Sequence, residues 1–264
     1  MYSQPSAPKT VGGVVDDAIK LYRVCLPRSW PLALAPEVAV MLLEISQQSR
    51  LHLTATTDPR VVFALLQSPG FVATVVIGFL LLLVFNYALI DHMHAIATRE
   101  IASLRRSLGV GLRMLPRAVV TAGLIALATG VGFVLLLVPG IYLAGAWMLT
   151  FVAMVVGDTG VFGSMRASYS LIKGHWWRTM TIYTVATLMA VVFYIVLALV
   201  FGLSGSLDGP GSALAIGLQR LLSVALGTLM TLWFPAVLLS LYYDLQLRRD
   251  GADLSRRIDA LPTP

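Results

Sequence analysis

Forty consecutive residues, 118–157, carry no charged side chain, and three further charge-free runs cover 61–90, 179–207 and 221–243. A helix of about 20 residues crosses a hydrocarbon core of about 30 Å, so each run is long enough to span a bilayer. A soluble domain has nowhere to hide that much apolar surface, and the composition agrees, at 58% hydrophobic against 12% charged. The fold class this predicts is an all-α integral membrane protein, with the 264 residues forming a single membrane domain. The first thirty residues hold Pro5, Pro8, Lys9, Asp16, Asp17 and Lys20 without an apolar run, so no cleavable signal peptide is expected. A formal charge of +6 fits basic residues flanking spans, and nucleic acid is not implied. Cys25 is the single cysteine, which excludes an intrachain disulfide and a thiolate pair for a metal. Arg outnumbers Lys, and Ala, Leu, Val and Gly dominate, as in chains from GC-rich bacterial genomes.

Six spans fit the pattern, at 30–49, 71–90, 118–138, 141–156, 179–201 and 221–243. The first is diluted by Pro31, Pro36, Glu37 and Glu44, yet the even span count depends on it. Lys and Arg outside the spans test the orientation. Lys9, Lys20, Arg23, Arg28, Arg99, Arg105, Arg106, Arg113, Arg117, Arg166, Lys173, Arg178, Arg248, Arg249, Arg256 and Arg257 fall on one side, and only Arg50, Arg60 and Arg220 on the other. Sixteen against three places both termini in the cytoplasm, with His52 and Asp208 outside, in a bacterial cytoplasmic (inner) membrane.

Three inner segments also carry apolar residues at helical spacing: Val11, Val15, Ala18, Tyr22 and Cys25; Ile101, Leu104, Leu108, Leu112 and Leu115; and Phe162, Met165, Tyr169, Ile172 and Trp176. Each reads as a cytoplasmic amphipathic helix lying in the membrane interface. Each ends at an arginine (Arg28, Arg117, Arg178) beyond which a span begins, and Pro27, Pro116 and Trp177 are expected to mark the bend into the bilayer. A disordered N-terminus (1–10), three parallel repeats of amphipathic helix plus hairpin (11–90, 98–156, 161–243) and a cytoplasmic tail (244–264) follow. The alternative is an unrelated six-span bundle. Pro139-Gly140 and Pro69-Gly70 are expected to fix tight outer hairpins, Ser204 to Ser212 a mobile outer loop, and Pro235 a kink in span six.

Two stretches carry a family resemblance. One runs Val138-Pro139-Gly140-Ile141-Tyr142-Leu143, then Asp158, then Met165 through Arg178 (Met-Arg-Ala-Ser-Tyr-Ser-Leu-Ile-Lys-Gly-His-Trp-Trp-Arg); the other is Leu241-Tyr242-Tyr243-Asp244 through Gly251. Together they resemble the membrane domain of glycerophosphodiester phosphodiesterase-like proteins and the related YciC-like six-span bacterial proteins. The resemblance implies a six-span fold and almost nothing about activity. Asp158 stands where that family usually has Glu, and Gln246 where Arg is common. The phosphodiesterase chemistry resembles the work of a separate soluble barrel with metal-binding acids and histidines, which has no counterpart here.

Candidate sites are few. Glu37 and Glu44, seven apart on one helix face, form a possible transport path for a proton or cation; the competing reading is a tilted, interfacial first span with Glu44 paired to Arg220. Asp91, His92 and His94 follow span two, but His-x-His splits its rings between faces, so no metal site is assigned. Gly157 to Gly163 opens the third amphipathic helix with glycine-rich spacing and no Walker lysine, which argues against nucleotide binding. Arg166, Lys173, Trp176, Trp177 and Arg178, with Arg28 and Arg117, are candidates for lipid or head-group binding, against a plain anchoring role. No Ser/His/Asp or Cys/His set can be assembled, so no catalytic residue, cofactor or metal is expected and the intramembrane hydrolase reading has little support. The function expected is a non-enzymatic inner-membrane protein in envelope or lipid handling, with membrane lipids or another membrane protein as partners. A small permease running along the Glu37/Glu44 face is the alternative.

Overall fold

The computed structural model describes residues 4–51, 67–205 and 213–259, and every regular element among them is helical. The helices are α1 (Val11–Leu51), α2 (Pro69–Ala97), α3 (Leu104–Leu135), α4 (Leu137–Ala146), α5 (Thr150–Val156), α6 (Val161–Ile172), α7 (Trp176–Gly205) and α8 (Ala213–Asp259). Five stretches among the described residues are long and apolar enough to cross a membrane: Pro69–Ala97, Leu104–Leu135, Leu137–Val156, Trp176–Val196 and Gly217–Gly251.

The ends of these helices gather at one end of the bundle. Lys9, just before α1, meets Asp244 of α8, and α2 returns to bring His94 Nδ1 within 2.7 Å of the Tyr243 hydroxyl. The chain leaves again along α3 and comes back through α4 and α5, so that Asp158 lies 3.6 Å from both Arg113 and Arg117. Helix α7 departs from Arg178, also bonded to Asp244, and α8 returns. The core between them holds Leu21, Cys25, Leu89, Ile90, Met93, Leu149, Ile172, Leu239 and Leu241.

The structure departs from the sequence reading in several places. Residues 11–26 form no separate interfacial helix: α1 is continuous through Pro27, Pro31 and Pro36, and α3 is continuous through Pro116. A proline removes one backbone hydrogen bond and kinks a helix, but neighbouring packing tolerates that loss, and a break is not obligatory. Only the third unit is split. There α6 ends at Lys173 and Gly174 takes φ +86, a left-handed conformation that glycine adopts without strain, before α7 starts at Trp176. The α3–α4 reversal happens at Leu136, in extended conformation, and Pro139 and Gly140 lie inside the first turn of α4 rather than in the turn itself. Span one belongs to helix α1 and is not among the five apolar stretches found in the described residues. The tail expected from residue 244 continues as helix to Asp259. His52, Asp208, residues 206–212 of the expected outer loop and the side chain of Glu44 lie outside the described residues.

The three amphipathic segments face differently. In α1 the apolar stripe points inward, with Val14, Val15, Ala18, Leu21 and Cys25 buried. Ile101, just before α3, is 89% exposed, and in α3 Leu112 is 57% exposed and Leu108 and Leu115 partly so, while Ser107, Gly111, Met114 and Ala118 face α2. Helix α6 follows this pattern at its start, with Phe162 76% exposed and Ser164 and Ser168 buried, whereas Ile172 at its end packs into the core. Gly111 explains the close approach of α3, since a Cβ there would run into the Val84 carbonyl of α2.

Candidate functional site

Two sets of residues stand at the end of the bundle where the helices gather. The first is a buried charge cluster. Asp244, at the close of the apolar run of α8, accepts the Lys9 N–H at Oδ1 (2.8 Å), and at Oδ2 the Arg178 Nη2–H and the Arg248 Nε–H (2.9 Å each). Both guanidinium groups also donate to the Lys9 carbonyl at 2.6 Å, and the Lys9 ammonium reaches Asp17 at 2.7 Å. Lys9, counted with the disordered N-terminus in the sequence reading, is therefore held through both main-chain groups. Arg178, a candidate head-group ligand, spends its charge on Asp244 inside the protein. Its Nε is buried without a hydrogen-bond partner.

The second set faces outward. Trp176 donates its indole N–H to the Tyr142 carbonyl at 3.2 Å and stacks on the Tyr142 ring, 5.8 Å between centroids. Trp177 packs edge-on against it at 4.9 Å and is 80% exposed. Lys173 and Arg166 are exposed on α6, Arg28 is exposed on α1, and Arg117 is half-exposed beside Asp158. Gly145 admits Trp176, because a Cβ there would stand 2.7 Å from the indole nitrogen and 2.8 Å from Met180 Cε. Beyond Gly145 runs an apolar groove of about 360 Å³, lined by Phe133, Ile141, Ala144, Met148, Met180 and Tyr183 among others. The indole of Trp176 thus stands beside the apolar groove, with Arg166 and Lys173 exposed on the neighbouring segment.

The remaining candidates lie elsewhere. The Glu37 carboxylate accepts the Thr231 hydroxyl at 2.8 Å and sits against Gly227, where a Cβ would approach its Cδ to 2.6 Å. It is thus turned toward α8 and does not line the groove. His92 is buried with Nδ1 3.4 Å from Ser107 Oγ, while His94 meets Tyr243, so the two rings part as the i, i+2 spacing requires. Sequence reasoning missed Asp244 as a site residue. The available signal was an acid ending an apolar run with Arg248 four residues on; Lys9 contributes through its backbone, which no side-chain pattern reports.

The apolar, outward-facing helices define a multi-pass α-helical membrane protein. Over 83 residues the chain is 35% identical to the UPF0259 membrane protein SG1383 of Sodalis glossinidius (strain morsitans). That stretch is 31% of this chain and spans 33% of the relative's length. The relative's name gives a membrane location and no activity, so the similarity supports an uncharacterised bacterial membrane family and leaves the phosphodiesterase half of the resemblance without support. No family model and no solved structure matches the chain.

Proposed function

We propose that this is a non-enzymatic protein of the bacterial cytoplasmic membrane, acting in envelope or lipid handling by binding anionic phospholipid at its inner interface. The observation that carries the reading is the packing of α3 and the start of α6, which bury Ser107, Gly111, Ser164 and Ser168 and turn Leu112 and Phe162 outward; Ile101, just before α3, is exposed as well. Such a face suits contact with lipid, and Arg105, Arg166 and Lys173 on the same segments suit an anionic head group. The groove beside Trp176 accepts an acyl chain. Six passes with both ends inside also belong to this reading: Lys9 and Asp244 touch, so the number of passes between them is even, and α1 supplies the sixth to the five apolar stretches. Three out-and-back pairs starting at one end are what parallel repeats of 11–90, 98–156 and 161–243 require.

Native mass spectrometry from vesicles containing phosphatidylglycerol and phosphatidylcholine tests the proposal. The wild-type chain should retain phosphatidylglycerol preferentially, and the Arg166→Gln/Lys173→Gln variant should lose most of that preference. Equal retention of both lipids by the wild type, or no change in the variant, sinks it. Arg178 is left out of the test because its charge is structural. The permease alternative rests on Glu37; a proton-coupled flux lost in Glu37→Gln with folding intact would favour it instead.

A further inference from the structure

Residues 134–138, where α3 turns into α4, are all aliphatic and stand 65–87% exposed. A turn between two spans normally reaches water and carries polar residues, and interfaces collect Trp and Tyr. From Gly130 to Ile141 this chain has no charged residue, no Trp and no Tyr. The opposite end of the hairpin is fixed by charge, with Arg113 and Arg117 beside Asp158. Leu136 follows Arg117 by nineteen residues, which is about 28.5 Å of helix and about 27 Å at an ordinary tilt of ~20°. That falls short of a hydrocarbon core of about 30 Å.

We propose that the α3–α4 hairpin ends inside the bilayer, with residues 134–138 among the acyl chains. The inference rests on the membrane reading above and deepens it: the third and fourth passes join within hydrocarbon, and the even parity is unchanged. A backbone turn in lipid is tolerable only when its polar groups are satisfied or removed. Here the Leu136 N–H donates to the Gly132 carbonyl at 3.0 Å, and Pro139 has no N–H to satisfy in the first turn of α4. Gly132 and Gly140 bring the two backbones together, since a Cβ on Gly132 would stand 3.0 Å from Gly140 Cα and N. The reversal thus uses one extended residue, Leu136, between the two helices.

The test places a nitroxide at Leu136→Cys, Val134→Cys or Arg105→Cys in the full-length chain, reconstituted in phosphatidylcholine–phosphatidylglycerol vesicles. Collision with oxygen should exceed collision with a water-soluble nickel chelate at 134 and 136, and the order should invert at Arg105. Nickel collisions exceeding oxygen collisions at 136 would mean a loop in water and overturn the proposal. Low collision rates with both, together with dipolar broadening between labels, would mean a second copy covers the tip and overturn it too. Hydrogen exchange on the unmodified chain covers the case in which a variant misfolds: the amides of Leu137 and Val138 should exchange slowly in vesicles and fast in a water-exposed turn. These readouts do not depend on anionic-lipid preference, so the two proposals fail separately.

Discussion

Replacing Asp244 by alanine removes the one acceptor shared by the Lys9 N–H and the Arg178 and Arg248 guanidinium groups. The Asp244 side chain is 3% exposed, and those of Arg178 and Arg248 are 20% and 26%. Stripping one partner from a buried ion pair costs about 3–5 kcal/mol, because the cation left behind has no solvent. The residual exposure of both arginines places the expected cost near the lower end, at about 3 kcal/mol. Arg248→Gln should cost only about 1 kcal/mol, since Asp244 keeps Arg178 and the lost group already meets solvent. At about 2–4 °C per kcal/mol for a chain of this size, the midpoint of thermal unfolding in detergent should fall by about 6–12 °C for Asp244→Ala and by about 2–4 °C for Arg248→Gln. Tryptic cleavage after Lys9 should accelerate in Asp244→Ala, because the segment loses its clamp. If Asp244→Ala falls no further than Arg248→Gln, the cluster is not what holds the N-terminal segment to the bundle.

Burial pushes the Cys25 thiol up to about 12, so maleimide should leave it unmodified near pH 8 until the chain unfolds; labelling of the folded protein would contradict the packing of α1. The same shift favours the protonated thiol in the folded state, so this contribution is intact below pH about 9 and declines as pH rises from there toward 12, visible as a falling unfolding midpoint. Gly111→Ala should destabilise more than Gly227→Ala, by about 1–3 kcal/mol in overpacking, because the first Cβ meets the Val84 backbone and the second only the movable end of Glu37; equal midpoints would refute the contrast. Arg99 holds φ 62 at the end of α2, where Glu100 N–H reaches the Ala95 carbonyl and Arg99 N–H that of Ile96, so Arg99→Gly should raise the midpoint by relieving about 1 kcal/mol of left-handed strain.

The charge-free runs made the apolar helices legible, because lipid leaves few alternatives to a long uncharged helix. Their breaks were less so. Pro27 and Pro116 read as bends, yet both helices continue, while interruptions fall at Leu136, a residue with no turn character, between Ala146 and Thr150 inside the expected fourth span, and at Gly174. Leu136 stops α3 because the Gly132/Gly140 contact allows an immediate reversal, a property of two residues eight apart and not of the turn. Arg178 read as a head-group ligand by its depth and its indole neighbours. Its partner lies 66 positions away and nothing local announced it. Lys173 caps α6, and Trp176 and Trp177 open α7 beside an apolar groove.

Periodicity finds an apolar stripe but does not say which solvent the stripe meets. In α3 the opposite face gives the answer, since Ser107, Gly111, Met114 and Ala118 repeat at 4, 3 and 4 and are the side that touches α2. Small residues allow close backbone approach, which is how helices associate when lipid competes for every large apolar side chain. It follows that Ser107→Leu should be the damaging change and Leu112→Ser the mild one, the reverse of what a water-soluble amphipathic helix would give. Leucine at 107 would displace His92, whose Nδ1 lies 3.4 Å from Ser107 Oγ, and force α3 from α2 at a cost of about 1–3 kcal/mol. Serine at 112 removes an exposed side chain and should leave the detergent midpoint within about 0.5 kcal/mol of wild type. In vesicles the same serine should weaken the hold of this segment on the interface, read as faster exchange of amides 101–112. If Leu112→Ser unfolds the protein in detergent while Ser107→Leu does not, the stripe is packed against protein, and the lipid-facing assignment of α3 falls with it.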